Sequence, residues 1–441
     1  MASAVPFGWP DKVVEYLVSS FGAEFLMLSA LCAGTGTYSS FFSGLGTAEL
    51  AWRMIAAALL AHGLSFHLIP GFTCECSTQC QDVLMRSASG FLISDIMELM
   101  ALSSFDPAWD FDAQCRAIRF AAVRTSAWCL RNLCYVALLP PLCTSSGVPC
   151  QDHSSAGHRR GLHGKRLHLL LAWMRWHLVM RTPIVILENV PQFTLDFVQE
   201  VMGQYYTIVA ILCGPEHVGF EMAHRPRLYV ALLLKGAVIV LRDLAQTMMA
   251  VSRHLRNGVL VRSMLLAEPA DIARETMQLR RMRGSQAPVG LRTRGVVHQE
   301  SLLTQGEGER LLVYTQMWWQ RFGVDPTLQP DLVYNLSDNP ADGWISWSAP
   351  TERRNSFALP VLRRGRKICW IPHERRLLTI REKLAFMGFP SYWHLAEACR
   401  ADNVFDLTWE EEGLLGNAMH VANIGVWQAV VLACVRIAES R

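Results

Sequence analysis

In the first half of the chain, short apolar runs alternate with glycine turns and with stretches whose apolar positions recur at helical spacing. Residues 38–43 read as a strand. The turn Gly44-Leu45-Gly46-Thr47 follows, and then a helix from about residue 48 to residue 61. A second strand is predicted to end near Phe72-Thr73-Cys74-Glu75, a helix to follow over residues 79–86, and 91–96 is the next apolar run. Later strands are predicted at 184–187, 206–213 and 228–234, with helices between them. Strands alternating with helices in this way predict an α/β protein with a mostly parallel, doubly wound sheet. After Gly236 the pattern weakens. Residues 284–350 are rich in Gly, Pro, Ser, Asp and Asn with poor periodicity, which predicts an irregular second domain; helical patterning returns at 378–387 and 421–438.

Composition adds limits to this picture. At 441 residues and 51% hydrophobic, the chain can bury a large core. Its 13 cysteines lack a pairing rhythm, which suits free thiols in a reducing compartment, and the start, with Pro6, Trp9, Pro10 and Asp11, does not read as a secretory signal. An intracellular protein is therefore expected. Residues 54–74 carry no Asp, Glu, Lys or Arg, but His62, Gly63, Ser65, His67, Pro70 and Gly71 interrupt them, so a helix, a turn and a buried strand are expected there and no membrane span.

Charge is unevenly placed. The formal net charge is +3, yet residues 241–378 hold 20 Lys and Arg against 13 Asp and Glu, a net of +7. Arginines cluster at 280, 281 and 283, at 292 and 294, at 353 and 354, and at 363, 364 and 366. A basic segment beside a near-neutral remainder points to a polyanion held by one part of the protein, with a solvated basic face as the alternative.

Candidate chemistry centres on residues 147–164, where Cys150 sits behind Pro149 among Gly147, Gly157, Gly161 and Gly164. Proline stiffens the backbone before the thiol, and the glycines let the main chain pass close to a flat ligand. Taken alone, the loop is equally a turn holding a buried cysteine. Glu188 follows a very apolar strand and is either its punctuation or an active-site acid. Arg225 and Arg227 open another strand, where alternate residues share a face suited to an anionic group. Glu75 and Asp95 each end an apolar run, a place from which an acid accepts hydrogen bonds from ribose hydroxyls or an adenine amino group. Two glycine turns compete for a nucleotide site, Gly34/Gly36 and Gly44/Gly46, and the second is favoured because an amphipathic helix follows it directly. A metal at Cys74, Cys76 and Cys80 is set aside, since that spacing lacks a second matching pair.

Together these residues resemble the DNA (cytosine-5) methyltransferases, in the family's own order of blocks. Residues 42–47 are similar to its cofactor turn, Glu75 to the ribose-binding acid, and Asp95-Ile96 to the next cofactor contact. Residues 147–164 resemble the nucleophile loop, Glu188-Asn189-Val190 the Glu-Asn-Val block, and Arg225 and Arg227 the paired arginines. Residues 379–390 resemble the block closing the recognition domain, and Gly416-Asn417-Ala418 the final block. The resemblance spans about 38–435 and leaves the variable region unmatched. His153, Met222-Ala223 and Met387 depart from the family pattern, and residues 106–134 read as an insertion.

The resemblance implies a Rossmann-like class I methyltransferase fold with a smaller, irregular, inserted target-recognition domain. It implies an N-terminal extension over 1–37, an S-adenosylmethionine-binding catalytic domain over 38–236, a target-recognition domain over 237–376, and a segment over 377–441 completing the catalytic domain. Cys150 would attack carbon 6 of a flipped-out cytosine while Glu188 hydrogen-bonds ring nitrogen 3, with Arg225 and Arg227 holding the base. Phe42, Gly44, Gly46, Thr47, Glu75, Asp95, Ile96, Pro149 and Asn417 would line the cofactor site. Gln151, Ser154, Asn189, Arg363 and Arg364 would meet the substrate. The expected partner is double-stranded DNA, bound by a monomer without metal, and the expected location is the nucleus if the source is eukaryotic. Methylation of transfer RNA, and a catalytically inactive DNA-binding paralogue, are the alternatives; the Cys-Phe-Thr signature of the RNA-acting branch is absent.

Overall fold

The computed structural model describes residues 2–31, 36–64, 66, 68–102, 105–151, 164, 166–284, 299–343, 345–351, 356–365 and 367–438. Seven strands form its central sheet: β1 (Thr37–Phe41), β2 (Ile69–Cys74), β3 (Phe91–Ile93), β4 (Cys143–Ser146), β5 (Ile184–Asn189), β6 (Tyr206–Cys213) and β7 (Arg227–Leu234). Their order across the sheet is β6-β7-β5-β4-β1-β2-β3. Strands β1 to β5 pair in parallel, whereas β7 runs antiparallel to both β5 and β6. The mostly parallel, Rossmann-like α/β class expected from the sequence is thus the observed one.

Both faces of the sheet are covered, so its central strands carry almost continuous apolar runs; all six residues of β5 are buried. Alternation along β1 sorts the helices. Ser40 faces α2 (Thr47–Ala61), where it meets Glu49, while Phe41 on the other side packs edge-on against Trp176 of α5 (Leu167–Met180). Helix α12 (Val421–Cys434) lies against α2, and the start of α1 (Trp9–Leu31) lies against α12. Gly425 permits that approach: a Cβ there would collide with the Trp9 ring.

Two compact units emerge. The sheet unit comprises residues 9–214, 226–255 and 418–441; the second comprises 1–8, 215–225 and 256–417. The second unit contains helices α8 (Pro269–Arg283), α9 (Gln305–Phe322), α10 (Ile380–Phe386) and α11 (Trp393–Ala398), with a three-stranded sheet of Tyr334–Asn335, Cys369–Ile371 and Arg376–Leu377. An aromatic cluster of Tyr314, Trp318, Tyr334 and Trp347 packs there.

Two local expectations are corrected. Residues 284–350 include the 18-residue helix α9, which a reciprocal capping box between Thr304 and Glu307 starts and whose Tyr314 and Trp318 are buried. Gly306 and Gly308 lower the helical signal of that stretch, and tertiary packing overrides them. The helix expected over 421–438 ends at Cys434, and Val435–Ile437 forms a short strand paired with Val238–Val240. Residues 106–134, read from the sequence as an insertion, hold a helix, Phe111–Phe120, and the first strand of a hairpin, Ser126–Cys129, whose partner Cys134–Ala137 begins at their end. Residues 54–74 run through a helix end, a turn and strand β2, as expected. Among the described residues, one segment, 412–434, is long and apolar enough to cross a membrane, and 89% of its most apolar window is buried inside the protein.

Candidate active site

The parallel strands point their carboxyl ends to one edge of the sheet, and the sequence-predicted residues of the sheet unit gather along it. At the end of β1 the chain turns through Phe42, Gly44 and Gly46, all with positive φ (53°, 55° and 74°). Gly46 is the N-cap residue of α2 and supplies no side-chain cap. The first N–H groups of α2 are therefore left without a side-chain partner at the cap, at the positive end of the helix dipole. A Cβ on Gly44 would meet nothing within 4 Å, whereas one on Gly46 would stand 2.9 Å from Leu84 Cδ2. The first glycine borders open space, and the second is required by its backbone and by packing. Thr47 Oγ1 at the start of α2 is buried without a hydrogen-bond partner.

Next along the edge stand the two acids. Glu75, just past β2, accepts from Gly44 N–H at 2.8 Å and from Ser77 N–H at 2.9 Å. Burial pushes its carboxyl above the ordinary carboxylate range; the backbone donors oppose that shift and nearby Asp95 adds to it. Asp95, past β3, accepts from Met97 N–H at 2.9 Å, with Ile96 buried beside it. These acids retain lone pairs for hydroxyl or amino donors.

On the other side of β1, strand β4 ends at Ser146 and leads through Gly147, Val148 and Pro149 to Cys150. Cys150 is half-buried and packs against the core beneath the sheet. The neighbouring strand β5 carries Glu188 and Asn189 at its end, and Asn189 Nδ2–H donates to the Val148 carbonyl at 3.0 Å. That bond ties the cysteine loop to β5. Trp173 Nε1–H donates to Ser146 Oγ at 2.7 Å, holding the same loop from α5.

Glu188 is buried, and its Oε1 lies 3.1 Å from Arg227 Nε. The antiparallel strand explains this meeting. Since β7 runs back from the edge where β5 and β6 end, its first residue, Arg227, falls beside Glu188 at the carboxyl edge. Arg227 Nη1–H also donates to the Pro226 carbonyl.

The shared strand face expected of Arg225 and Arg227 is not found. Arg225 precedes β7 and belongs to the second unit, where its buried guanidinium donates to the carbonyls of Leu362 at 3.2 Å and Gly416 at 3.1 Å. It crosslinks two segments distant in sequence. Asn417 lies in the second unit and is exposed. Arg363, also in that unit, pairs with the buried Asp338, while Arg364 is exposed. Gln151 is half-buried, and Ser154 and His153 lie outside the described residues.

Sequence reasoning missed the roles of Ser146 and Trp173 in holding the cysteine loop. Neither belongs to a chemical motif, and only the crossing of α5 over β4 brings them together. Among the described residues no group of three or more His, Cys, Asp or Glu side chains is placed to hold a metal; Cys74 and Cys80 are buried and Cys76 is exposed.

Comparison with known proteins bears out the family resemblance over the segment that carries the cysteine loop, α5 and β5. Residues 143–202 match the family model described as C-5 cytosine-specific DNA methylase. Among solved structures, the chain is similar to one described as a DNA modification methyltransferase encoded within an E. coli prophage, at 14% identity, covering 91% of this chain and 99% of that chain with a TM-score of 0.48. It is similar to the S. pombe Dnmt2 methyltransferase at 12% identity, covering 90% and 98%, TM-score 0.38. The Entamoeba histolytica methyltransferase EhMeth gives 13% identity, 90% and 98% coverage, and a TM-score of 0.43. No curated protein matches the sequence.

Proposed function

We propose that this chain, whose residues 143–202 match the C-5 cytosine-specific DNA methylase family, transfers a methyl group from S-adenosylmethionine to carbon 5 of a cytosine in double-stranded DNA. One observation carries the reading: the loop of a candidate thiol nucleophile and a buried carboxylate leave adjacent parallel strands at one edge, tied by Asn189 and oriented by Arg227.

In this reading the Cys150 thiolate adds to carbon 6 of the ring, forming a carbon–sulfur bond and pushing electron density to carbon 5. Glu188 meets ring nitrogen 3 through a hydrogen bond, so that charge does not build up on the heterocycle. Arg227 engages Oε1 and holds the carboxylate at the strand edge. After methylation, loss of the carbon 5 proton to a base expels the thiolate and restores the aromatic ring. The target carbon is inaccessible in a duplex, so the base is flipped out at a cost of about a few kcal/mol.

The residues present fit the cofactor. An N-terminus of α2 without a side-chain cap suits its carboxylate, the open space at Gly44 suits a close approach, and Glu75 and Asp95 suit its hydroxyl and amino donors. When bound, S-adenosylmethionine supplies an electrophilic methyl group.

The test is transfer of labelled methyl from the cofactor to duplex DNA and to transfer RNA, with Cys150→Ser in parallel. Transfer to DNA is expected, lowered by more than about a thousandfold in the serine variant. Activity retained by that variant would overturn the covalent mechanism, and transfer to RNA alone would overturn the substrate.

A further inference from the structure

Behind the glycine turn lies a set of hydroxyls that the proposed chemistry does not use. Ser40 of β1 contacts Glu49 Oε1, from the first turn of α2, and its Oγ lies 2.5 Å from Ser43 Oγ. Ser43 Oγ lies 3.4 Å from the Cys74 carbonyl, which also accepts from Ser43 N–H at 3.3 Å. Gly44 N–H, the next donor, goes to Glu75. The turn is thus clamped to β2 at two successive residues, and the first clamp runs back through Ser40 to Glu49.

Counting protons gives that chain a direction. Each serine hydroxyl has one hydrogen to donate. If Glu49 is ionised, Ser40 must donate to it, Ser43 must choose between Ser40 and the Cys74 carbonyl, and one contact is left without a hydrogen. If Glu49 is the neutral acid, its O–H donates to Ser40, Ser40 to Ser43, and Ser43 to the Cys74 carbonyl, so every contact is a hydrogen bond. Chains of this kind polarise one another along their length.

We propose that Glu49 is a positioning residue for the glycine turn, acting as a neutral acid that heads a one-way chain of hydroxyls ending on Cys74. Its ionisation releases Ser43 and loosens the turn that receives the cofactor; this last point rests on the function proposed above. The surroundings agree. Burial raises the Glu49 carboxyl above its ordinary range, opposed by Ser40, by its own backbone N–H, by neighbouring Thr73 and by Arg53 on its own helix. From β1 it faces Tyr38, whose hydroxyl burial and Glu49 itself push up, with Cys143 of β4 nearby. Strand β2 offers only the neutral Thr73. Helix α12 offers the neutral Gln428, which donates to the Ala48 carbonyl and Ser145 Oγ. From α1, Asp11 pairs with His62 at the far end of α2. A cavity of about 70 Å³ bounded by Tyr38, Glu49, Trp52, Phe66 and Thr73 gives water and protons a place beside the acid.

The test is hydrogen exchange of the backbone amides of residues 42–47 in the ligand-free protein, corrected for intrinsic rates. It is paired with calorimetric binding of S-adenosylhomocysteine, and both are followed as pH rises from the ordinary carboxylate range to mild alkali. In the natural protein, protection should fall by about tenfold as Glu49 ionises. Glu49→Gln, whose amide donates to Ser40 and cannot ionise, should hold full protection across the range, and Glu49→Ala should be unprotected throughout. Protection independent of pH in the natural protein, or a Glu49→Gln profile identical to it, would overturn the clamp whether or not the cofactor binds. The expected exchange pattern without binding by the natural protein would support the clamp and overturn the cofactor reading. Affinity that follows protection across the variants supports both.

Discussion

The two units handle buried charge in opposite ways. In the sheet unit Glu188, at 8% exposure, is the most buried Asp, Glu, Lys or Arg residue among the described residues, and it stands at the strand edge where chemistry is expected. The second unit buries Arg225, Asp271, Glu275, Glu307, Asp331, Asp338, Arg376, Glu382, Lys383, Glu411 and Glu412. The reason lies in the backbone. A parallel sheet satisfies its own N–H and C=O groups, so its interior can be apolar. A unit with short strands and long irregular connections has to satisfy many of those groups with side chains. Glu382 takes the N–H groups of Ala267 and Thr379 while it holds Arg376, Glu275 takes that of Ile380, and Asp331 that of Arg262. Lys383 donates to the Lys367 carbonyl and to Glu412. Buried charge stands at the candidate site in one unit and serves construction in the other.

The sharpest way to break this comparison is to remove one acid from each unit. Glu382→Ala strips Arg376 of its bidentate partner and orphans two backbone donors, and should cost about 3–5 kcal/mol in urea unfolding. Glu188→Gln should cost less than about 1 kcal/mol of stability yet lower methyl transfer by about 10²–10⁴-fold. Equal stability losses with unchanged transfer would erase the distinction.

A smaller effect is expected from pH. Burial raises the Glu275 carboxyl to about 7, against the opposing pull of Lys383 and of the hydrogen bond from Ile380. Its folded value lies above its unfolded one, so its contribution is fully present below the ordinary carboxylate range and is lost as pH climbs through about 7. Unfolding followed from pH 5 to pH 8 should show stability falling by up to about 3 kcal/mol, and Glu275→Gln should flatten that slope. A slope unchanged in the variant would assign the titration elsewhere. The smallest expected change is in Thr304→Ala, which removes one half of the α9 capping box and should cost about 1 kcal/mol. A loss within error would mean that packing of Tyr314 and Trp318 alone holds that helix.

Much of the sheet was legible in the sequence because its strands are apolar runs, those at its centre buried on both faces. Runs such as Ile184–Asn189 and Tyr206–Cys213 carry β-branched and apolar residues with little interruption, and the turn at Gly44 to Thr47 stands directly before an amphipathic helix. Helix α9 was not legible, because Gly306 and Gly308 weaken its local signal and its buried face is aromatic and sparse. Within the candidate site, the approach of Glu188 to Arg227 could not be read either. Alternation along a strand predicts which residues share a face, and Arg225 lies outside the strand altogether.

The sequence by itself determined the alternation of strands and helices, the parallel class of the sheet, and the chemical inventory at the strand ends, because each depends on near neighbours in the chain. Only the tertiary structure decided which groups meet. It inserted β7 antiparallel beside β5, placed Arg227 on Glu188, sent Arg225 to two remote carbonyls, and aligned Glu49 behind Ser40 and Ser43. The arginine pairings join positions tens to hundreds of residues apart, and even the nearby Glu49 meets Ser40 only because α2 packs on β1; local propensity carries no information there, and strand order and packing decide.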